Sequence, residues 1–204
     1  MPLKPKLIIS AVALTLLFVV SGFAQSEEPG SEYGASPYDT GDQIFAIHAG
    51  GMLPLFSLDP NTGENVRLFD HLSFGASGYL EWGSYLNQSM ILGIEFGGLF
   101  SKSPNRDYYM IPVTAKYTYE IRSYPLEIPL SAGIGFSITK LSDQTFFGPI
   151  AKLGAGLRFA VRGNWSLGAL TQLLVVPELY FDDKADKSRI ASFVEVSFSA
   201  VYHF

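Results

Sequence analysis

Apolar and polar residues alternate one by one through long stretches of this chain, most clearly in its second half. Over residues 127–140 the intervening positions are polar or small, and the apolar series is Ile128, Leu130, Ala132, Ile134, Phe136 and Ile138. Successive side chains of a β-strand point to opposite faces, so a period of two predicts strands with one apolar face. Eight such runs, separated by turn signals, are predicted at residues 43–53, 71–82, 89–100, 107–122, 127–140, 148–162, 165–176 and 190–204.

The length of these runs points to a membrane. A strand needs about ten residues to cross a bilayer at its usual tilt, and a strand with one face in lipid must be apolar on that face. We therefore predict an all-β fold, an eight-stranded antiparallel transmembrane up-and-down β-barrel whose apolar series faces lipid. A soluble lipocalin-type barrel is the alternative, but it would keep its apolar series inside, and the usual Gly-x-Trp start and C-terminal helix are absent from the sequence.

The first 42 residues differ in composition from the rest. Two lysines, an uncharged run from Leu7 to Val20 and small residues before Gln25 predict a signal peptide over residues 1–24. Residues 25–42 hold five acidic residues and no basic one, so we expect a disordered acidic lead-in on the periplasmic side. The barrel domain is then residues 43–204. The sequence has no Cys, which excludes disulfides and a lipoprotein anchor.

A periplasmic N-terminus sets the expected topology, with the C-terminus also periplasmic. Short periplasmic turns are predicted at residues 83–88, 123–126 and 163–164, and external loops at 54–70, 101–106, 141–147 and 177–189. The same parity places aromatic residues in two rims, where membrane interfaces favour them. The expected periplasmic rim is Trp82, Tyr117, Tyr119, Phe159, Trp165, Tyr202 and Phe204, and the outer rim is Phe74, Phe100 and Tyr109.

These features together resemble the small eight-stranded outer-membrane β-barrel family of the OmpX, OmpA-transmembrane and OmpW kind. The resemblance is carried by the hairpin "MIPVTAKYTYEIR" and "LEIPLSAGIGFSITK" and by the end "VEVSFSAVYHF". It implies a location in the bacterial outer membrane, in contact with outer-membrane lipid. It also implies that the last strand, through Phe204, Tyr202 and Phe198, is the signal read by the barrel assembly machinery.

The predicted lumen contains charge of both signs. An eight-stranded barrel is just wide enough for its own side chains, so paired charges would fill it and unpaired charges would line a path. We expect ion pairs that plug the interior, with a narrow aqueous path as the alternative. The inward charges by parity are Glu81, Glu95, Lys116, Glu120, Arg122, Lys152, Arg158, Arg162, Glu178 and Glu195, and Gly133, Gly135, Gly154 and Gly156 would make room for long side chains.

The sequence gives little support for catalysis or cofactor binding. His48, His203 and Glu195 share the lumen parity, but no Ser or Asp is placed as a nucleophile, so we predict no enzyme, no catalytic residue and no cofactor. The segment 59–64 lacks most of the ligands of a calcium loop, and no metal site is predicted. After loss of the signal peptide the net charge is −7, which argues against nucleic acid as a partner.

Three classes of function follow. The first is a structural or surface-interaction protein, with the loop at 54–70 as a possible site for an external ligand. The second is an OmpW-like narrow channel for small or hydrophobic solutes. The third, which the sequence favours least, is a barrel enzyme that acts on lipid.

Overall fold

The computed structural model describes residues 38–58, 63, 73–103, 106–141, 144–161, 164–178 and 188–204. All of them belong to one compact unit, Ser36–Phe204. The predicted signal peptide, lead-in residues 25–37 and most of the two longest predicted loops lie outside the described residues. In the described part of the chain, no helix has the length and apolar character needed to cross a membrane.

Eight strands form a closed antiparallel barrel in which each strand pairs with its neighbours in sequence. The strands are β1 (Gln43–Leu58), β2 (Gly75–Asn87), β3 (Met90–Ser103), β4 (Arg106–Ser123), β5 (Leu126–Leu141), β6 (Gln144–Ala160), β7 (Trp165–Glu178) and β8 (Arg189–His203). Closure comes from β1 pairing with β8, where Ile44 lies opposite His203 and Leu58 opposite Ile190. The predicted fold class and the number of strands are confirmed.

The barrel has an apolar outer face and a more polar interior, as the alternation requires. Ile94, Ile134 and Leu153 are each more than 60% exposed, although they lie in the middle of paired strands. A soluble monomer rarely exposes so continuous an apolar surface, so this face is built for lipid. All ten aromatic residues expected in the two rims are exposed on the outside.

The two ends of the barrel carry different connections. At the terminal end, which we define by Gln43 and Phe204, the strands are joined through residues 88–89, 124–125 and 161–164. At the opposite or loop end, residues 59–74 join β1 to β2 and residues 179–188 join β7 to β8. The other two connections there are residues 104–105 and 142–143, because the hairpins continue through most of the predicted loops at 101–106 and 141–147. Those two predicted loops are therefore corrected to two-residue connections.

The alternation is interrupted at the start of β5. Glu127, Ile128 and Pro129 are all buried, although Ile128 was expected on the lipid face. The pairing of β5 with β6 passes from Glu127 opposite Arg158 to Leu130 opposite Ala155. The register is the same on both sides of this gap, and Ile128 pairs with Ile121, which is exposed on the outer face, so Ile128 keeps its predicted face although it is only 7% exposed.

Candidate functional site

The side chains that fill the lumen form three layers along the barrel axis. An apolar layer occupies the loop end, a central cluster of charged residues lies below it, and a terminal cluster of charged and aromatic residues lies at the terminal end. Every strand passes through all three depths, so each layer contains residues from several strands.

The central cluster contains two carboxylates and two ammonium groups. Lys116 Nζ donates to Glu81 Oε2 at 2.7 Å and to Glu95 Oε2 at 3.0 Å. Lys152 Nζ donates to Glu95 Oε1 at 2.5 Å and lies 3.8 Å from the centre of the Tyr79 ring. All four charged side chains are at least nine-tenths buried, and their formal charges cancel. Buried charges with this geometry are stable only as a complete set.

The terminal cluster is a second balanced set. Glu120 accepts hydrogen bonds from Arg122 and Arg158, and Arg158 Nε also lies 3.5 Å from Glu127 Oε2. The Tyr85 hydroxyl accepts a hydrogen bond from Arg122 Nη2 at 2.5 Å. Glu120 is on β4 and Arg158 on β6, so their ion pair spans the lumen past β5.

The apolar layer was not expected, because the interior was predicted to be polar throughout. Nine of its residues are at most 3% exposed and pack together. They are Met52, Tyr79, Leu99, Tyr108, Met110, Ile150, Leu174, Val176 and Phe193. The rings of Tyr108 and Phe193 stack with centroids 5.4 Å apart. These side chains contact one another, and their burial keeps solvent from their surfaces.

Of the other predicted lumen charges, Glu195 lies beside the central cluster, opposite Gln172, and Glu178 lies at the loop end. Glu195 is buried beside Ser77 and Tyr79, and its Oε2 has no hydrogen-bond partner among the described residues. Glu178 lies at the loop end, where it accepts a hydrogen bond from Thr139 Oγ1 at 3.1 Å. Arg162 is outside the described residues. Of the ten predicted lumen charges, seven are therefore brought together in the two clusters.

The two lumen histidines are separated along the axis. His48 Nε2 lies 3.1 Å from Glu81 Oε2 in the central cluster. His203 belongs to the terminal cluster, where its Nε2 lies 3.2 Å from Ser166 Oγ and its Nδ1 lies 3.1 Å from the Tyr85 hydroxyl. Ser166 also donates a hydrogen bond to Glu127 Oε1 at 3.0 Å. From the sequence, no serine was placed beside His203 as a nucleophile. In the structure Ser166 lies next to His203, fully buried and hydrogen-bonded inside the lumen.

His48, Glu81 and Glu95 each offer a ligand atom within 4.8 Å of the others, a separation that a metal ion could bridge. Lys116 already donates to both carboxylates from this position. Lys152 adds a second positive charge beside Glu95. The two carboxylates are therefore already neutralised by two ammonium groups. A divalent cation bound here as well would be repelled by both of these ammonium groups.

Glu127 was missed as an inward charge, and the grouping of the nine apolar lumen residues into one layer was not predicted. Glu127 lies in the polar series of β5, and this position alone could have predicted that its side chain points into the lumen. Gly154 does make room inside the barrel, since a Cβ there would lie 3.1 Å from Gln172 Cγ. Gln172 uses this space to donate a hydrogen bond to Glu95 Oε2 at 3.3 Å.

A protein-family model for an uncharacterized family matches residues 24–202 of this chain. Two uncharacterized proteins of Treponema pallidum (strain Nichols) also match. One is 25% identical over 197 residues, covering 83% of this chain and 67% of that protein. The other is 24% identical over 187 residues, covering 88% of this chain and 84% of that protein.

Among solved structures, Neisserial surface protein A (NspA) matches with a TM-score of 0.60 and 15% identity, over 81% of this chain and 98% of NspA. Ail, the attachment invasion locus protein of Yersinia pestis, matches with a TM-score of 0.48 and 16% identity, over 82% of this chain and 100% of Ail. The outer membrane enzyme PagL matches with a TM-score of 0.46 and 15% identity, over 78% of this chain and 98% of PagL. The likeness to NspA shows that this chain has the fold of a small eight-stranded outer-membrane barrel.

Proposed function

This chain belongs to the uncharacterized family whose model matches residues 24–202, and we propose that it is a non-conducting outer-membrane anchor that presents two loops at the cell surface. The observation that supports this role is the filled lumen. Two balanced charge clusters and a packed apolar layer occupy it at three successive depths. A barrel with this interior can serve as a rigid support, whereas a conduit needs a continuous path.

The strands that the two long connections join lie on the same side of the barrel. Residues 59–74 leave from β1 and β2, and residues 179–188 leave from β7 and β8. Since β8 pairs with β1, these four strands are consecutive around the wall. The opposite side has only two-residue connections, at 104–105 and 142–143. We propose that an external ligand contacts the long-loop side, including the segment 54–70.

The orientation in the membrane belongs to the same proposal. Outer-membrane barrels place short turns in the periplasm and longer loops outside. The terminal end has the short turns, so both chain ends would be periplasmic, and the assembly machinery would bind β8 there. Outer-membrane lipid covers the apolar outer face, and nucleic acid has no part in this role.

We propose no catalytic activity. A lipid-hydrolysing barrel needs a nucleophile that reaches its lipid substrate. The Ser166–His203 pair faces the lumen, and both residues are fully buried. Ser166 also donates a hydrogen bond to Glu127, so the Ser166–His203 pair is part of the hydrogen-bond network that holds the terminal cluster together.

The channel alternative has one observation in its favour, because an apolar lumen layer could line a path for hydrophobic solutes. The nine side chains of that layer are packed together and almost fully buried, which opposes passage.

Epitope insertion tests the proposed presentation. One variant carries a short peptide tag after Gly63, in the first long connection, and a matched variant carries the same tag between Gln88 and Ser89, in a short turn. Intact cells should bind an antibody to the tag after Gly63, and the tag at 88–89 should become accessible only after the outer membrane is permeabilised. The reverse pattern of accessibility would reject the proposed orientation.

A further inference from the structure

Residues 38–42, which were expected to belong to the disordered lead-in, fold onto the terminal end of the barrel. Gly41 N donates to the carbonyl oxygen of Tyr85 at 2.9 Å, and Tyr85 N donates to the carbonyl oxygen of Asp42 at 2.8 Å. Within the turn, Asp39 N donates to Asp42 Oδ2 at 2.8 Å. Gly41 has a φ of 99°, a conformation that glycine adopts without a steric penalty. These contacts correct the prediction for residues 38–42.

The turn places the Tyr38 ring across the mouth of the lumen. The ring stacks on His203 with a centroid distance of 4.2 Å and an interplanar angle of 11°. It also stacks on Tyr85 at 5.3 Å, and the guanidinium of Arg122 lies 4.9 Å from its centre. Three strands thus contribute a contact to one ring, since Tyr85 is on β2, Arg122 on β4 and His203 on β8.

The groups beneath Tyr38 are the polar and charged groups of the terminal cluster. His203 is fully buried below the ring and contacts Ser166, which is also fully buried. Tyr38 also packs against the small apolar cluster of Ile44, Ala46, Tyr85, Ile91 and Val201. Tyr124, at the same end but in a turn, is 76% exposed. A position at the terminal end is therefore not enough to bury an aromatic side chain, and the burial of the Tyr38 ring comes from its specific contacts.

We propose that residues 38–42 are a lid and that Tyr38 seals the terminal mouth of the lumen against water and small solutes. This inference deepens the proposed closed lumen and rests on it. The lid is held by ring stacking, a cation–π contact and a few backbone hydrogen bonds, so it can open without breaking the barrel ladder. The apolar layer closes the loop end independently, so opening the lid hydrates the terminal cluster while the barrel stays impermeable.

A single cysteine can report on the lid, since the sequence contains none. Ser166→Cys places a thiol one side chain below His203, and its alkylation by iodoacetamide is measured on the chain refolded into phosphatidylcholine vesicles. Combining it with Tyr38→Ala should raise the alkylation rate at least about tenfold, because the thiol then lies at an open mouth. Combining it with Tyr38→Phe should leave the rate within about twofold, because the phenyl ring keeps the stacking contacts.

Two further variants separate a lid from general loosening. Tyr124→Ala removes an aromatic residue at the same end and should leave the Ser166→Cys rate unchanged. Ser192→Cys places a fully buried thiol near the loop end, and it should stay unreactive with or without Tyr38→Ala. An unchanged Ser166→Cys rate in Tyr38→Ala would overturn the lid, and so would a parallel rise at Ser192→Cys. Neither result would alter the loop presentation measured by epitope insertion.

Discussion

Arg158 on β6 and Glu120 on β4 form an ion pair through the lumen, with both side chains almost completely buried. The strand between them, β5, contributes Glu127 to the same cluster, and β4 contributes Arg122. The pair thus ties non-adjacent parts of the wall together. Removing either partner would leave the other charge buried without its main compensation.

Arg158→Ala should destabilise the barrel by about 3–5 kcal/mol, the usual cost of leaving a buried charge uncompensated. Urea titration of folding in lipid vesicles measures this, with Lys140→Ala as the control, because Lys140 is exposed on the outer face. The same variant should remain electrically quiet, since the apolar layer still closes the loop end. Steady current through Arg158→Ala would show that this layer is not a seal.

Ala115→Arg should cost about 2–4 kcal/mol, because its side chain would lie in lipid near the middle of the barrel wall. Ala115 is exposed on the outer face between Ile94 and Ile134. Thr145→Arg is the matched control on the same face beside Lys140 at the loop end, where the cost should fall to about 0–1 kcal/mol. Equal costs at the two sites in vesicle titrations would contradict the assigned depth of the lipid face.

Deletion of residues 202–204 should prevent insertion into the outer membrane. Gln43 and Phe204 exchange two backbone hydrogen bonds, of 2.7 and 3.0 Å, where the barrel closes. Tyr202 also packs against Trp165 at 5.0 Å on the outside. Fractionation of cells should find the truncated chain outside the outer membrane, while a Phe204→Tyr control inserts. Normal yield and heat-dependent gel mobility for the deletion would count against closure through these residues.

The lid should weaken in alkali. Burial raises the pKa of the Tyr38 phenol above its ordinary value of 10.0, with Glu127 and Asp42 adding to the rise and Arg122 and Arg158 opposing it. Because the pKa is raised, the packing of the neutral Tyr38 ring on the barrel is fully stable below pH 10.0. This stability is lost as the pH rises through the higher pKa. NMR titration of ¹³C-labelled tyrosine, with Tyr38→Phe to assign the signal, should give a midpoint above 10.0. A midpoint at or below 10.0 would show that Tyr38 is not buried at the mouth.

The alternation of side chains was sufficient to predict eight strands and the face of most of their residues, although Glu127 was missed. β1 begins at Gln43 and β7 at Trp165, as predicted. At the loop end, β1, β3 and β7 extend past their predicted last residues, because residues such as Lys102 continue the hairpins past the apolar span, whereas β2 begins at Gly75 and not at residue 71.

The partners inside the lumen could not be predicted in the same way. Parity assigns a residue to a face, but the depth at which Lys116 meets Glu81 depends on the stagger of all strands together. Met110 and Leu174 share the inward parity of their strands, yet only the closed barrel gathers them into one apolar layer with Phe193. Tyr38 lies in an acidic segment without periodicity, and nothing in the pattern indicates its stacking on His203.

The central claim is that the barrel is closed along its length, and single-channel recording of the refolded wild-type chain in a planar bilayer tests it most directly. The charge clusters and the apolar layer predict no steady current at moderate voltage in either direction from samples whose folding is checked by heat-dependent gel mobility. Steady, reproducible conductance from the wild-type barrel would contradict the account and make a channel the preferred function.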